Sequence, residues 1–149
     1  MEVNYLDVEL MEKMCHRLAV AVFNKKEEPI PPFSKHEENL LKSALDAPRA
    51  SFSGVEQYPT LEEKAAVLYY HLNKNHPFKN GNKRIATASL LIFLYINDHW
   101  LMTSEDVLVE KALYVANSEP RERGEVLVNI KNWINSNTVK LEEARSLIE

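Results

Sequence analysis

The sequence is poor in glycine, in cysteine and in long apolar runs, and each shortage excludes a class of protein. Its 149 residues include 3 glycines, too few for the many tight turns of an all-β sandwich or barrel. The glycine-rich motifs of Rossmann and P-loop nucleotide sites do not occur. The single cysteine, Cys15, excludes an internal disulfide and is typical of a reducing compartment.

Charge and hydropathy argue against membranes and nucleic acid as partners. The longest uncharged apolar stretch, Ile85 to Ile96, is shorter than the ~20 residues that span a bilayer. The N-terminal segment carries acidic residues where a signal peptide needs basic ones. The formal net charge is −4, so any site for an anion must be local. We therefore expect a soluble, cytoplasmic protein that binds neither a membrane nor nucleic acid directly.

Hydrophobic periodicity predicts an all-α protein, a compact bundle forming a single domain over residues 1–149 with its core at about 34–135. Hydrophobic residues make up 45% of the chain and charged residues 27%, as in an ordinary folded domain. The tail at 138–149 is amphipathic and either docks or frays. The predicted helices are Asn4–Phe23, one from Ser34 to Pro48, one from Thr60 to about Leu72, Asn82–Asn97, one from Thr103 to Asn117, and Arg121–Asn135.

Local signals sharpen several of these boundaries. Ser34 and Thr60 each precede a glutamate by three residues, which is the spacing of a capping box, and Thr103 is the expected cap of the fifth helix. The first helix shows an apolar stripe that includes Val22. The fourth helix is apolar nearly all round, so we place it at the centre of the bundle.

The segment from Arg49 to Pro59 has no helical period. It contains alternating large side chains around Ser53 and Gly54, a pair that favours a turn. A short β-hairpin is predicted there.

One segment, His76 to Arg84, departs from the usual chemistry of a helix start. Helix N-termini favour acidic residues because their free N–H groups carry partial positive charge, yet Lys83 and Arg84 stand in the first turn here. Either both side chains reach solvent, or an anion lies between them. Gly81 allows backbone N–H groups to approach a ligand, and Asn82 offers an amide, so a polyphosphate site is one interpretation.

His76 has an imidazole close to this anion site. Such a group is a candidate general base, although a lone histidine is more often structural. Asn80 belongs to a turn and also carries an oxygen that a metal ion accepts as a ligand. Three other histidines, His16, His36 and His99, are expected on helix surfaces or in loops.

The segment His76-Pro-Phe-Lys-Asn-Gly-Asn-Lys-Arg84 resembles the Fic/Doc superfamily, whose signature is H-x-F-x-[D/E/N]-[G/A]-N-[G/K]-R. Further similarity to the Doc (death-on-curing) branch lies in Leu40–Pro48, Tyr58–Phe78 and Phe93–Asp98. The resemblance covers about 34–135.

The resemblance implies a role for each residue of the segment. His76 corresponds to the base that deprotonates a hydroxyl of a target protein. Asn80 stands at the metal-binding position, which is usually acidic, and Gly81, Asn82, Lys83 and Arg84 bind the phosphates. The predicted hairpin corresponds to a flap that positions the substrate, formed by Ser51, Phe52, Ser53, Gly54 and Val55.

The resemblance also implies an activity and partners. The co-substrates are ATP, or another nucleoside triphosphate, and Mg²⁺. Lys83 replaces the glycine of Fic adenylyltransferases, and in the Doc branch this lysine accompanies transfer of the γ-phosphate. A Doc-like toxin implies elongation factor Tu as its target and a small antitoxin with a helical inhibitory segment. Two alternatives stay open: adenylyl transfer by the same residues, and a binding protein whose activity is attenuated by Asn80.

Overall fold

Seven helices make up most of the computed structural model, which describes residues 2–148. The first helix is α-helical at both ends and π-helical in its middle piece. The all-α bundle with a small hairpin is confirmed. The helices are α1 (Val8–Leu10, Met11–His16 and Arg17–Phe23), α2 (Glu38–Asp46), α3 (Leu61–Lys74), α4 (Asn82–Tyr95), α5 (Glu105–Asn117), α6 (Arg123–Asn137) and α7 (Leu141–Ile148).

The predicted hairpin is present. Strand β1 (Ser51–Phe52) pairs antiparallel with β2 (Val55–Glu56). The two turn residues, Ser53 and Gly54, have φ angles of 51° and 77°. Positive φ at both central positions is the conformation that matches the twist of a two-stranded ribbon. Every residue of the hairpin is exposed to solvent.

A second antiparallel pair was not predicted. Strand β3 (His99–Leu101) follows α4, and its partner β4 (Thr138–Lys140) follows α6, with Trp100 opposite Val139. Strands of three residues are too short to show a period of two. This pairing docks the C-terminal tail, and Ala144 of α7 is buried against the rest of the chain.

Helix α4 lies at the centre, packed against α1, α3 and α5. Most of its residues are buried, as its apolar sequence predicts, while Tyr95 in its last turn is exposed. Its two buried hydroxyls are satisfied within the helix, because Thr87 donates to the carbonyl of Lys83 at 2.8 Å and Ser89 donates to that of Ile85 at 2.7 Å. The apolar core can therefore surround this helix without leaving those hydroxyls unpaired.

Helix α3 begins as predicted, but α2 and α5 do not. The Thr60 hydroxyl accepts a hydrogen bond from the backbone N–H of Glu63 at 3.1 Å. The predicted capping box at Ser34 is wrong, because Ser34 lies in a 3-10 turn and α2 starts only at Glu38. The cap of α5 is Ser104 rather than Thr103.

The first helix starts four residues later than predicted, at Val8, where the Asp7 carboxylate caps it by accepting from the N–H of Leu10 at 2.8 Å. Its π-helical piece widens the turn and rotates the following residues. Ala19 is consequently buried, whereas Val22, predicted to be in the stripe, is 60% exposed.

No helix within residues 2–148 has the length and apolar character needed to cross a membrane.

Candidate active site

His76 occupies a strained backbone conformation directly after α3. Its φ is 52°, in the left-handed region that side chains rarely adopt, and its imidazole is exposed. The position after a helix C-cap is one where glycine is usual, and a non-glycine residue costs about 1–2 kcal/mol there. A histidine retained at such a position is typical of a functional site rather than a stabilising one.

The side chain of Asn82 holds the loop that carries His76. Its amide oxygen accepts from the N–H of Phe78 at 3.0 Å, and its amide nitrogen donates to the carbonyl of Phe78 at 2.7 Å. The same nitrogen lies 3.4 Å from Nδ1 of His76. Because the side-chain amide of Asn82 is already hydrogen-bonded to the loop, the group that Asn82 can offer to a phosphate is its backbone N–H in the first turn of α4.

Phe78 anchors the loop in the core and is 2% exposed. Three rings surround it with centroids within 6.1 Å: His16, Phe33 and His36. The surface position expected for His16 is wrong. His16 is buried, and its Nε2 lies 2.7 Å from the carbonyl oxygen of Pro31. The loop is therefore fixed to α1 as well as to α4.

Gly81 leaves no room for a side chain at the start of α4. Its φ is 80°, and a Cβ at this position would lie 3.0 Å from Cγ1 of Ile30 and 3.5 Å from Nη2 of Arg84. Any substitution would combine backbone strain with a displaced neighbour. The glycine thus brings the backbone of the turn close to the guanidinium of Arg84.

Arg84 carries a buried donor without a partner. Its Nη1 is fully enclosed and makes no hydrogen bond within residues 2–148. None of the ion pairs in that part of the chain includes Arg84 or Lys83. An unpaired, buried guanidinium nitrogen is costly, so the arrangement favours a bound anion.

These groups open into one cleft of about 380 Å³ beside the start of α4. Asn80, Gly81, Asn82, Lys83 and Arg84 all line it, so the structure brings together the predicted phosphate-binding residues. The apolar walls come from the end of α1 and from α5 and include Phe23, Leu108, Ala112 and Leu113. Polar side chains also line the cleft: Asn24, Lys25, Glu28 and Glu105.

Asn80 is half-buried in this cleft. Its amide oxygen accepts from the N–H of Gly81 at 2.9 Å. A carbonyl oxygen has two lone pairs, so one remains for a cation. No group of three or more His, Cys, Asp or Glu side chains converges on a metal site within residues 2–148. A single amide oxygen suits Mg²⁺, which keeps several waters and takes its other ligands from phosphates.

His76 and the hairpin do not line the cleft. His76 lies beyond the Asn82 amide, and the residues predicted to position a substrate, from Ser51 to Val55, form an exposed arm outside it. The apolar walls of the cleft escaped sequence reasoning, because α1 and α5 show only the pattern of ordinary core helices.

The comparison with known families matches this site. The model of the Fic/DOC family matches residues 5–94, which include α1, the hairpin, α3, the His76 loop and nearly all of α4. The chain belongs to the Fic/DOC family. The matched range contains the whole segment from His76 to Arg84.

A curated relative points to the same branch. Toxin Doc of Mycolicibacterium smegmatis is 44% identical over 68 residues, which make up 46% of this chain and 52% of the relative. The chain therefore spans about half the length of the relative that it matches. No solved structure matches the chain.

Proposed function

We propose that this Fic/DOC protein is a Doc-like toxin that transfers the γ-phosphate of ATP to a hydroxyl group of a target protein. The observation that carries the proposal is the buried Nη1 of Arg84 at the start of α4, which has no hydrogen-bond partner in the part of the chain that the structure describes. Beside it lie Lys83 and the close-approach turn at Gly81. Such a cluster suits the oxygens of a polyphosphate.

The lining of the cleft favours phosphoryl transfer over adenylyl transfer. The apolar walls of α1 and α5 line the cleft together with Arg84, whereas His76 does not line it. A nucleoside placed against those walls leaves the terminal phosphate as the group nearest His76. The exposed Lys83, which also lines the cleft, adds a cation beside the phosphates.

In the proposed reaction the hydroxyl oxygen of the target attacks the γ-phosphorus. The bond from that phosphorus to the β–γ bridging oxygen breaks, and ADP leaves. The proton of the hydroxyl passes to the imidazole of His76, which the Asn82 amide orients at 3.4 Å. Arg84 and the first-turn N–H groups of α4 stabilise the charge on the phosphates. Asn80 is the candidate ligand for Mg²⁺, which would neutralise part of that charge when bound.

The relative named Toxin Doc supports a toxin–antitoxin system with a small antitoxin as partner. The rim of the cleft carries exposed apolar residues at helical spacing on α5, Val109 at 54% and Leu113 at 43% exposed, with Val22 of α1 opposite. An amphipathic antitoxin helix suits such a groove. For the target we propose elongation factor Tu.

The position of a radioactive label decides between the two transfer reactions. The purified chain is incubated with elongation factor Tu and Mg²⁺, with ATP labelled at either the γ- or the α-phosphorus. We expect label on the target from γ-labelled ATP alone, and none with His76→Ala. Label from α-labelled ATP would overturn phosphoryl transfer and establish adenylyl transfer. Absence of label from both, with elongation factor Tu and with a whole-cell lysate, would leave the attenuated binding protein.

A further inference from the structure

Among residues 2–148, the hairpin of β1 and β2 buries none of its own apolar side chains against the helical body. Phe52 is 83% exposed and Val55 is 69% exposed, so neither side chain packs into the core. A two-stranded hairpin of this size is marginal on its own. Its position must therefore depend on polar contacts near its base.

One such contact comes from a buried lysine. Lys64 of α3 is 1% exposed, and its Nζ donates to the carboxylate of Glu56 in β2 at 3.0 Å. The same ammonium lies 3.3 Å from the carbonyl oxygen of Pro48, just before the hairpin. Within residues 2–148 this is the only side-chain hydrogen bond or ion pair between the helical body and the two strands.

The aromatic ring of Tyr5 completes the base of the hairpin. Lys64 Nζ lies 5.8 Å from the ring centroid, and the guanidinium of Arg49, on the chain leading into β1, lies 4.4 Å from it. The segment that enters β1 and the end of β2 thus meet at one cluster, which contains the two cations Lys64 and Arg49 and the ring of Tyr5.

A lysine is an unfavourable choice here if stability is the only purpose. Leu61 and Leu68 lie on the same face of α3, so Lys64 stands in a buried apolar stripe. Replacing the lysine with an apolar side chain of similar length removes the desolvation cost of a buried cation, and it strands no buried charge because the Glu56 side chain is 57% exposed. Polar residues that break a local rule in this way mark positions selected for function or specificity.

We propose that Lys64 is a positioning residue that fixes the hairpin through Glu56, so that the hairpin presents the target segment to the active site in one orientation. The inference rests on the proposed function, because a positioned hairpin matters for a macromolecular substrate and not for ATP. Losing one charge-assisted hydrogen bond typically changes an equilibrium about tenfold. We therefore expect the KM for the protein target to rise about tenfold in Lys64→Met, with the KM for ATP unchanged.

The decisive experiment measures the mobility of the hairpin directly. A nitroxide label is attached at Ser53→Cys in the His76→Ala background, which avoids toxicity. The native Cys15 is buried, and burial raises the pKa of its thiol to about 12, so it does not compete for the label. Lys64→Met is compared with the parent and with Lys13→Met, which breaks the exposed Lys13–Glu9 pair at 2.6 Å.

We expect faster label motion in Lys64→Met, an unchanged or higher melting temperature, and no change in Lys13→Met. Glu56→Gln should loosen the hairpin as well, and the double variant should be no more mobile than Lys64→Met alone. Unchanged label motion in Lys64→Met would overturn the proposal. This readout needs no substrate, so faster motion with no protein modification would support the anchor while contradicting the proposed function.

Discussion

Helices α3 and α4 begin in opposite ways, although both are central to the bundle. Helix α3 starts at a Thr60 cap, with Glu62 and Glu63 in its first turn. Helix α4 starts at Gly81, without a side-chain cap, and its first turn contains Lys83 and Arg84. The first arrangement stabilises a helix, whereas the second is destabilising because it places two cations beside the partial positive charge of the helix N-terminus. The difference supports our proposal that the start of α4 binds an anion.

The largest effect is expected at His76. Replacing this residue with alanine removes the proposed base but leaves the Asn82–Phe78 bonds of the loop intact. Phosphotransfer should fall by about 10²–10⁴-fold, and expression without an antitoxin should no longer arrest growth. Equal growth arrest by wild type and His76→Ala would refute the catalytic role.

The next largest effects are expected when the side chains that distinguish the two helix starts are removed. Arg84→Ala should lower phosphotransfer about hundredfold, because one stabilising donor is lost, while the melting temperature without nucleotide stays the same or rises. Thr60→Ala should have the opposite effect. It should lower the free energy of unfolding by about 1 kcal/mol and the melting temperature by about 2–4 °C, with activity retained. A fall of several degrees in Arg84→Ala would mean that Arg84 stabilises the fold and would remove the argument for an anion.

Asn80→Asp tests the metal position at the turn before α4. The change is nearly isosteric and replaces a neutral ligand with a carboxylate, which hard cations prefer. The Mg²⁺ concentration for half-maximal transfer should fall about threefold to tenfold in a titration of both proteins. Superimposable curves would show that Asn80 does not face the metal.

The smallest expected effect concerns the other end of α3. Burial lowers the pKa of His71; a hydrogen bond to Asn75 opposes this shift, and the charge of Arg123 adds to it. The Nη2 atom of Arg123 lies 3.2 Å from Nε2 of His71 and 3.1 Å from the hydroxyl of Tyr58. A neutral imidazole can accept from Arg123, whereas an imidazolium cannot.

The direction of the pH dependence follows from that lowered pKa. Between the ordinary histidine pKa of 6.5 and the lower pKa of His71 in the folded chain, the unfolded chain binds more protons than the folded one. The free energy of unfolding should therefore fall as the pH drops through 6.5, and His71→Gln should flatten this part of the profile. Denaturant unfolding of the wild type and of His71→Gln between about pH 8 and pH 5 measures the free energy of unfolding at each pH. Parallel profiles would exclude His71 as the group responsible.

The contrast between the starts of α3 and α4 also explains which features were predictable from the sequence. Helix α3, with a cap followed by an apolar period, and the hairpin around Ser53 and Gly54 follow from local rules. The candidate anion site at Lys83 and Arg84 stands out in the sequence because those residues violate such a rule. Signals carried by neighbouring residues along the chain were thus sufficient for these parts.

Features that depend on packing were not predictable. The π-helical piece of α1 includes His16, which is buried against Phe78. No periodicity in the sequence predicts a π-helical turn at this place. Strands β3 and β4 are short and distant in sequence. The burial of Nη1 of Arg84, which has no hydrogen-bond partner among residues 2–148, arises from packing that only the folded chain shows.

The central claim is that the start of α4 binds the phosphates of ATP, and ligand-induced stabilisation tests it most directly. The His76→Ala protein is melted with and without ATP and Mg²⁺, beside versions that also carry Arg84→Ala or Arg121→Ala. Arg121 is a matched control because it is an exposed arginine just before α6. At a ligand concentration of about 100 times Kd, the first protein and the Arg121→Ala control should gain about 2.7 kcal/mol, or about 5–10 °C. The Arg84→Ala version should gain almost nothing, and an equal gain in all three proteins would contradict the account.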